Sequence, residues 1–217
     1  MALAFFDLDR TLLSENSGSL WVRREVRSGH LNRWQAFLAS GALLRYHLGG
    51  TSIESVLLAA LEGLAGTSAL ELRKRTETFY AQEVRHLVRP GARVAIEAHR
   101  AAGDTLVLLT TSSGDLADLI AADLRLDAVL CNRLEAEGDR HTGRPQGELC
   151  YGAGKVRYAQ TLAEGLGGSL RDASFYSDSY SDLPMLEAVG RPVVVHPDPR
   201  LKREALRRGW PIELWGR

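Results

Sequence analysis

Two kinds of hydrophobic pattern divide the chain, and the change falls near Pro90. Between residues 16 and 88, apolar positions recur at the spacing of a helix, with few runs of β-branched residues. After Pro90, short continuous apolar runs of strand length alternate with helical stripes, which is typical of a parallel sheet covered by helices on both faces. A further apolar run occupies residues 3–6. The pattern therefore predicts an α/β fold with a helical insertion after the first strand.

The helical insertion is long enough to form a unit of its own. About ninety residues separate Thr11 from the strand that includes Leu106, far more than a typical connection. Capping-box pairs, Thr51 with Glu54 and Ser68 with Glu71, predict two helix starts. An earlier helix, ending at Gly49-Gly50, has its stripe at Trp34, Phe37, Leu38, Gly41, Leu44 and Leu48. We predict a core of residues 1–14 and 89–217 and a helical cap of residues 15–88.

The remaining elements of the core follow from the same patterns. Strands are predicted at residues 105–109, 128–131, 173–177, 192–196 and 211–214. Helices are predicted at residues 92–102, 116–124, 154–166, 183–189 and 199–208. The polar stretch 133–144, with its glycines, predicts a small surface hairpin.

Composition and charge argue against several kinds of partner. The 217 residues include 27 basic and 27 acidic side chains, so no global field attracts nucleic acid or an anionic membrane. No uninterrupted apolar run approaches the roughly 20 residues of a membrane span, and no basic leader precedes the first strand. The two cysteines lack a CxxC spacing, which indicates a reducing compartment. We expect a cytoplasmic protein with a small-molecule partner, and its oligomeric state stays open.

The most informative polar residues follow the first strand directly. Asp7 and Asp9 lie two positions apart, so an extended chain places both carboxylates on one side. Two like charges held together need a cation between them or a proton on one of them. Either arrangement is typical of a working site rather than of packing.

Four segments carry a resemblance to a known family. The segment FFDLDRTLL contains DxDxT at Asp7, Asp9 and Thr11, and VLLTTSS, GKV and FYSDSYSDLPML follow at residues 107–113, 154–156 and 175–186. In this order they resemble the four motifs of the haloacid dehalogenase (HAD) superfamily of phosphohydrolases. The helical insertion is similar to that of its phosphoserine-phosphatase-like branch. The resemblance implies a Rossmann-like, doubly wound parallel sheet core with an α-helical cap inserted after the first strand.

The resemblance implies that the first motif carries the covalent chemistry. Asp7 matches the nucleophile that forms an aspartyl-phosphate, and Asp9 matches the acid that protonates the leaving alcohol and later accepts a proton from water. We expect the neighbouring negative charge to help raise the pKa of Asp9. Asp7 and the backbone carbonyl of Asp9 would also bind the metal. Thr11 is expected to stabilise the turn through its hydroxyl.

The fourth motif supplies the remaining metal ligands implied by the resemblance. Asp178 matches a direct ligand, and Asp182 would bind directly or through water, or would cap the helix that follows. Oxygen ligands of this kind suit Mg²⁺, which keeps several waters. Where many family members have glycine, this chain has Ser177, a difference that we expect to be tolerated.

The second and third motifs imply a phosphate site. Thr110 matches the phosphate-binding hydroxyl, and Thr111 and Ser112 lead into a helix whose free N–H groups would favour an anion. Ser113 is expected to cap that helix. Lys155 matches the lysine that neutralises the phosphoryl group and Asp7. A Walker A loop is excluded, because Leu149 and Val156 replace its required glycine and hydroxyl residue.

The resemblance implies a Mg²⁺-dependent hydrolase of a small phosphomonoester, similar to phosphoserine or histidinol phosphate. In phosphoserine phosphatases a glutamate nine residues past the nucleophile reads the substrate amino group; here that position is Asn16, beside Glu15. These two residues are therefore our candidates for specificity. The alternatives are a phosphotransferase or phosphomutase of the same superfamily and a non-catalytic phosphate-binding protein. A signalling receiver domain is disfavoured, because it would lack the cap and would not place its acceptor on the first strand.

Overall fold

The computed structural model of the chain describes residues 2–31 and 53–216. The predicted helix ending at Gly49-Gly50 and the Thr51 cap lie outside these residues. Within the described part of the chain, no helix is both long and apolar enough to cross a bilayer.

A six-stranded sheet forms the centre of the fold, and every neighbouring pair in it is parallel. The spatial order is β3-β2-β1-β6-β7-β8, so the first strand lies inside the sheet. The strands are β1 (Leu3–Phe6), β2 (Thr105–Ser113), β3 (Ala128–Asn132), β6 (Ser174–Ser177), β7 (Arg191–Val195) and β8 (Ile212–Glu213). The remaining two, β4 (Leu134–Glu137) and β5 (Arg140–Pro145), form the antiparallel hairpin that the sequence predicts. The predicted α/β fold is confirmed.

Eight helices of the described residues connect or cover these strands. They are α1 (Ser17–Arg27), α2 (Ile53–Glu62), α3 (Ala69–Phe79), α4 (Pro90–Ala101), α5 (Gly114–Leu124), α6 (Ala153–Gly165), α7 (Leu183–Ala188) and α8 (Pro199–Arg208). Ser68 caps α3 through Glu71 N–H, as its capping-box pattern predicts. Helix α4 begins at Pro90, two residues before the predicted start, since proline suits the first helical position.

Alternation along β1 divides the hydrophobic core between the two faces of the sheet. Phe6 packs with Ile96 on one face, and Phe5 packs with Val107 and Leu201 on the other. Both phenylalanines are fully buried, and each contributes about 1.5–3 kcal/mol of transfer free energy. The core therefore holds β1 rigidly up to the residue before Asp7.

The second strand extends further than the apolar run predicts. The prediction ended at residue 109, whereas β2 continues to Ser113, with a register shift against β3 between Leu109 and Ser113. The hydroxyl-bearing residues after the apolar run are thus part of the strand. The predicted Ser113 cap is wrong in one respect: Ser113 precedes α5, but its side chain makes no capping hydrogen bond.

The two ends of the helical segment, residues 15–88, lie side by side where they join the core. Leu13 pairs with Val88 in an isolated antiparallel bridge, and Ser14 N–H donates to Leu87 O at 2.9 Å. The hairpin β4–β5 also holds the start of α3, because Ser68 donates to the Asp139 carboxylate at 2.7 Å. These contacts support the division into a core of residues 1–14 and 89–217 and a cap of residues 15–88, which stays a prediction.

Candidate active site

The polar residues of the motifs meet at one edge of the sheet. Asp7 follows β1, Thr110 lies near the end of β2, and Asp178 follows β6. Since these three strands are parallel neighbours, their carboxyl ends share an edge. Asp7 and Thr110 are buried there together with Asp178.

A wide turn at Leu8–Leu12 sets the direction of the first motif. Leu13 N–H donates to Leu8 O at 2.9 Å and closes the turn. Arg10 takes the left-handed conformation, with φ of 60°. Such a conformation costs a non-glycine residue about 1–3 kcal/mol and persists where the surroundings impose it. The turn brings the buried Thr11 hydroxyl back beside Asp7.

A buried ammonium group joins two carboxylates across the site. Lys155 Nζ, on α6, donates to Asp7 Oδ1 at 2.6 Å and to Asp182 Oδ2 at 2.8 Å. Lys155 and Asp182 are each 2% exposed and Asp7 is 7% exposed. Burial alone would lower the pKa of Lys155, but the charges of Asp182 and Asp7 raise it, so the ammonium form persists. The GKV motif thus places a permanent positive charge on Asp7.

Asp178 lies on the other side of Asp7. The Thr11 hydroxyl is 3.4 Å from Asp7 Oδ2 and 3.4 Å from Asp178 Oδ1, so one hydroxyl lies between the two carboxylates. Burial and the charges of Asp7 and Asp182 raise the pKa of Asp178 to about 8. Burial likewise raises the pKa of Asp7 to about 7, although Lys155 opposes the shift. Asp7 is thus paired with Lys155, whereas no ion pair reaches Asp178 within the described residues.

This donor set fits a magnesium ion. Asp7 and Asp182 share the Lys155 ammonium group, and Asp178 is buried beside Asp7, so three carboxyl groups surround a site with one lysine. Mg²⁺ needs only one or two carboxylates, with water and substrate phosphate completing its shell. In residues 2–31 and 53–216, no three His, Cys, Asp or Glu side chains are grouped closely enough to hold a metal alone. Asp7, Asp178 and the Asp9 carbonyl remain the predicted ligands.

The Asp182 side chain binds residues other than those of the helix that follows it. Its side chain makes no capping hydrogen bond to α7, so the capping alternative is wrong. Instead, Oδ2 accepts from Lys155 and from the Ser177 hydroxyl at 2.7 Å. The serine that replaces the usual glycine is thus used to orient Asp182. Metal binding by Asp182, directly or through water, stays a prediction.

The hydroxyl groups of the second motif have different partners, because side chains alternate along β2. Thr110 is buried, and its hydroxyl oxygen accepts from Ser112 N–H at 3.1 Å. The Thr111 hydroxyl instead donates to Cys150 O at 3.0 Å. A phosphate role stays predicted for Thr110 and Ser112, but the Thr111 contact gives no support to the same role for Thr111.

The Asp9 carboxylate faces the start of α1. Its Oδ1 accepts from Ser17 N–H at 2.7 Å, and its Oδ2 accepts from Asn16 Nδ2 at 3.2 Å. The pKa of Asp9 is raised, as expected, but burial is the largest cause, and the hydrogen bonds from Ser17 oppose it. The predicted contribution of the neighbouring negative charge is not among the principal causes. Glu15 is exposed at the surface beside this contact.

Comparison with known proteins decides the family. The family model described as haloacid dehalogenase-like hydrolase matches residues 4–187, which include all four motifs. The chain belongs to this family. The predicted membership of the HAD superfamily is therefore confirmed.

Relatives of the HAD hydrolase include named phosphatases. A phosphoserine phosphatase of Mycobacterium tuberculosis is 33% identical over 216 residues, which cover 97% of this chain and 70% of the relative. A histidinol-phosphatase of Neisseria meningitidis is 31% identical over 216 residues, which cover 97% of each. These relatives confirm the predicted enzyme class, a phosphatase.

Solved structures agree with the fold. A protein of unknown function from Bordetella pertussis Tohama I superposes with a TM-score of 0.89 at 33% identity, covering 97% of each chain. A structure of the phospho-aspartyl intermediate analogue of a phosphoserine phosphatase gives a TM-score of 0.70 at 20% identity, covering 95% of this chain and 98% of that one. At that identity the second likeness shows the fold alone.

Two polar residues of the HAD hydrolase support the site without belonging to any motif. Asp198 Oδ2 accepts from Tyr180 N–H at 2.6 Å, and Asp198 N–H donates to Asp178 O at 2.8 Å, so Asp198 fixes the loop of the fourth motif. Asn132 is buried and joins Thr111 O to Cys150 N–H, at 2.6 and 2.7 Å. Neither residue was predicted from the sequence. Asp198, directly before the proline that starts α8, carries a helix-cap signal; Asn132 carries none.

Replacing Asp198 with alanine is expected to weaken metal binding as well as stability. Asp198 also caps α8 by accepting from Arg200 and Leu201 N–H, and losing this cap costs about 1 kcal/mol. The Asp178 loop loses its support as well, which should raise the half-saturating Mg²⁺ concentration about tenfold. Mg²⁺ titrations followed by thermal unfolding measure both. Asp198→Ser, which can still cap α8 but is too short for Tyr180 N–H, is expected to lose only metal affinity. An unchanged half-saturation in both variants would contradict the assignment.

Proposed function

We propose that the enzyme hydrolyses a small phosphomonoester in two steps through an aspartyl-phosphate on Asp7, with Mg²⁺ bound beside it. The observation that carries the proposal is the Lys155 ammonium group, held 2.6 Å from Asp7 Oδ1 inside a buried carboxylate cluster. A dianionic phosphate repels a carboxylate nucleophile, so positive charge must be present before attack. Lys155 supplies it from the protein.

The covalent step uses one carboxylate oxygen of Asp7 as the nucleophile. Lys155 holds Oδ1, and the Thr11 hydroxyl lies beside Oδ2, so the carboxylate is oriented at both oxygens before the attack. As the new O–P bond forms, the ester P–O bond breaks, and the leaving alcohol takes a proton from Asp9. Water then attacks the phosphorus of the intermediate and gives its proton to Asp9. Inorganic phosphate leaves, and the Asp7 carboxylate is restored.

The remaining groups bind the phosphoryl oxygens or the metal. Thr110 and the backbone at Ser112 would donate to the phosphoryl oxygens at the end of β2. Asp7, Asp178 and the Asp9 carbonyl would hold Mg²⁺, which neutralises charge on the phosphoryl group when bound. The surplus of buried carboxylates around Lys155 supports this assignment.

The names of two relatives support a proposal for the substrate class. Their names, phosphoserine phosphatase and histidinol-phosphatase, refer to phosphate esters of small amino alcohols. We propose a substrate of this kind, and cytoplasmic location stays a prediction. Phosphate release from phosphoserine, histidinol phosphate and other small monoesters, with and without Mg²⁺, tests the proposal. Absence of turnover for every ester in the presence of Mg²⁺ would contradict it.

Adding Mg²⁺ is expected to stabilise the metal-stripped protein. Binding at 100 times the dissociation constant should contribute about 2.7 kcal/mol to the free energy of unfolding. Asp178→Asn removes one ligand and one uncompensated buried charge, so it should abolish the Mg²⁺ response without lowering metal-free stability. Asp118→Asn, a matched change at an exposed pair with Arg133, should leave the response intact. Equal Mg²⁺ shifts in both variants would exclude Asp178 as a ligand.

A further inference from the structure

The Asn16 side chain uses both ends of its amide. Its Oδ1 accepts from Ser19 N–H at 2.8 Å and so caps α1, while its Nδ2 donates to Asp9 Oδ2 at 3.2 Å. The two bonds fix the orientation of the amide, because exchanging oxygen and nitrogen would break both of them. One side chain thus links the first helix of the insertion to the acid of the first motif.

The backbone of α1 completes the contact. Ser17 N–H donates to Asp9 Oδ1 at 2.7 Å, so both carboxylate oxygens of Asp9 are held by the start of this helix. Both donors, Asn16 and Ser17, belong to the cap and first residue of α1. The direction of the Asp9 carboxylate is therefore set by α1 rather than by the sheet.

Helix α1 is in turn attached to other parts of the helical segment. Arg24 pairs with Glu83 at 2.8 Å, and Glu25 is buried and pairs with Arg75 on α3 at 2.8 Å. Only Glu15 and Asn16 separate α1 from Ser14, where the segment contacts the core. Any displacement of the segment would consequently move the donors that hold Asp9.

We propose that Asn16 is a positioning residue that holds the Asp9 carboxyl group toward the leaving alcohol and couples it to the helical segment. This inference rests on the proposed function, in which Asp9 protonates that alcohol. It also changes the role assigned to Asn16 from its position in the sequence. Its Oδ1 and Nδ2 are each held by the protein, so the amide is oriented by α1 and Asp9.

The substitution Asn16→Asp tests the contact with little change in shape. Aspartate caps a helix as well as asparagine, so α1 keeps its cap, but a second carboxylate replaces the donor to Asp9. Ser68→Ala, which removes the cap of α3 far from Asp9, is the control for a general loss of helix stability. Both variants are made in the full chain and compared with the parent.

The expected effect depends on the leaving group. Protonation matters for the alkyl esters phosphoserine and histidinol phosphate, and matters much less for 4-nitrophenyl phosphate, whose leaving group is a stable anion. Asn16→Asp should lower kcat/KM at least about tenfold for the better alkyl ester and less than about threefold for 4-nitrophenyl phosphate. Asp9→Asn should remove the effect, so that Asn16→Asp causes no further loss in that background. Ser68→Ala should lower kcat/KM for both kinds of ester by similar factors.

A second readout does not need turnover. Asn16→Asp should lower the thermal midpoint by about 2–4 °C in the parent and by much less in the Asp9→Asn background. Three outcomes would overturn the inference. They are an equal loss of kcat/KM for both kinds of ester, a loss of kcat/KM confined to esters that bear an amine, and an equal midpoint shift in both backgrounds. The parent could hydrolyse no monoester while Asn16→Asp still lowers the thermal midpoint more in the parent than in the Asp9→Asn background. In that case the proposed function is wrong, but the contact between Asn16 and Asp9 is supported.

Discussion

Replacing Asp7 with asparagine is expected to abolish phosphate release while leaving the fold intact. Turnover should fall by at least about 10⁴-fold, because a neutral amide replaces the carboxylate that forms the covalent bond to phosphorus. Stability should change little, since Lys155 keeps its hydrogen bond to Asp182 and the cluster loses one buried charge. Phosphate release and thermal unfolding of the same preparation measure the two quantities.

The matched control is Asp9→Asn, which lies two residues away and leaves the nucleophile in place. This variant should not react with the alkyl esters but should still release about one equivalent of 4-nitrophenol from 4-nitrophenyl phosphate, because that leaving group needs no proton whereas attack by water still needs Asp9. Retained turnover in Asp7→Asn would remove Asp7 as the nucleophile. Failure of Asp9→Asn to release any 4-nitrophenol would contradict the separate roles of the two residues.

Replacing Lys155 with methionine is expected to damage both stability and catalysis. Asp7 and Asp182 would remain buried without the ammonium group that they share, and breaking such a pair costs about 3–5 kcal/mol. The thermal midpoint should fall by roughly 10 °C, and phosphate release should become undetectable. Lys202→Met, at an exposed position on α8, should change neither quantity appreciably.

A double substitution separates the charge effect from packing. If the cost in Lys155→Met comes from stranded carboxylates, adding Asp182→Asn should recover part of the lost stability without restoring activity. A further decrease in stability would indicate that Lys155 acts mainly through the packing of its aliphatic chain. A folded and fully active Lys155→Met protein would contradict the assigned role altogether.

The sequence alone predicted the site residues that follow directly after strands. The apolar run before Asp7 predicted β1, and parallel neighbours then required Asp7, Thr110 and Asp178 to share one edge. The pairing of Lys155 with Asp7, 148 positions apart in sequence, followed from motif order and not from local pattern. Periodicity alone could not have located that lysine.

Other parts of the site depend on contacts that local pattern does not contain. Spacing could not decide whether Asp182 caps a helix or pairs with Lys155, because that depends on where α6 packs. The extension of β2 was hidden because its last residues are polar, although alternation then explains why Thr111 bonds to Cys150 while Thr110 does not. Asn16 was assigned by position to substrate recognition, and its contact with Asp9 appears only once the turn at Leu8–Leu12 is formed.

A covalent bond between phosphorus and Asp7 is the central step of the proposed reaction. Mixing the enzyme with its best monoester and Mg²⁺, quenching in acid within one turnover and analysing the peptides by mass spectrometry tests this bond. The expected result is one added phosphoryl group on the peptide that contains Asp7, absent from Asp7→Asn. An active enzyme that carries no phosphoryl group at any quench time, or carries it on another residue, would contradict the account.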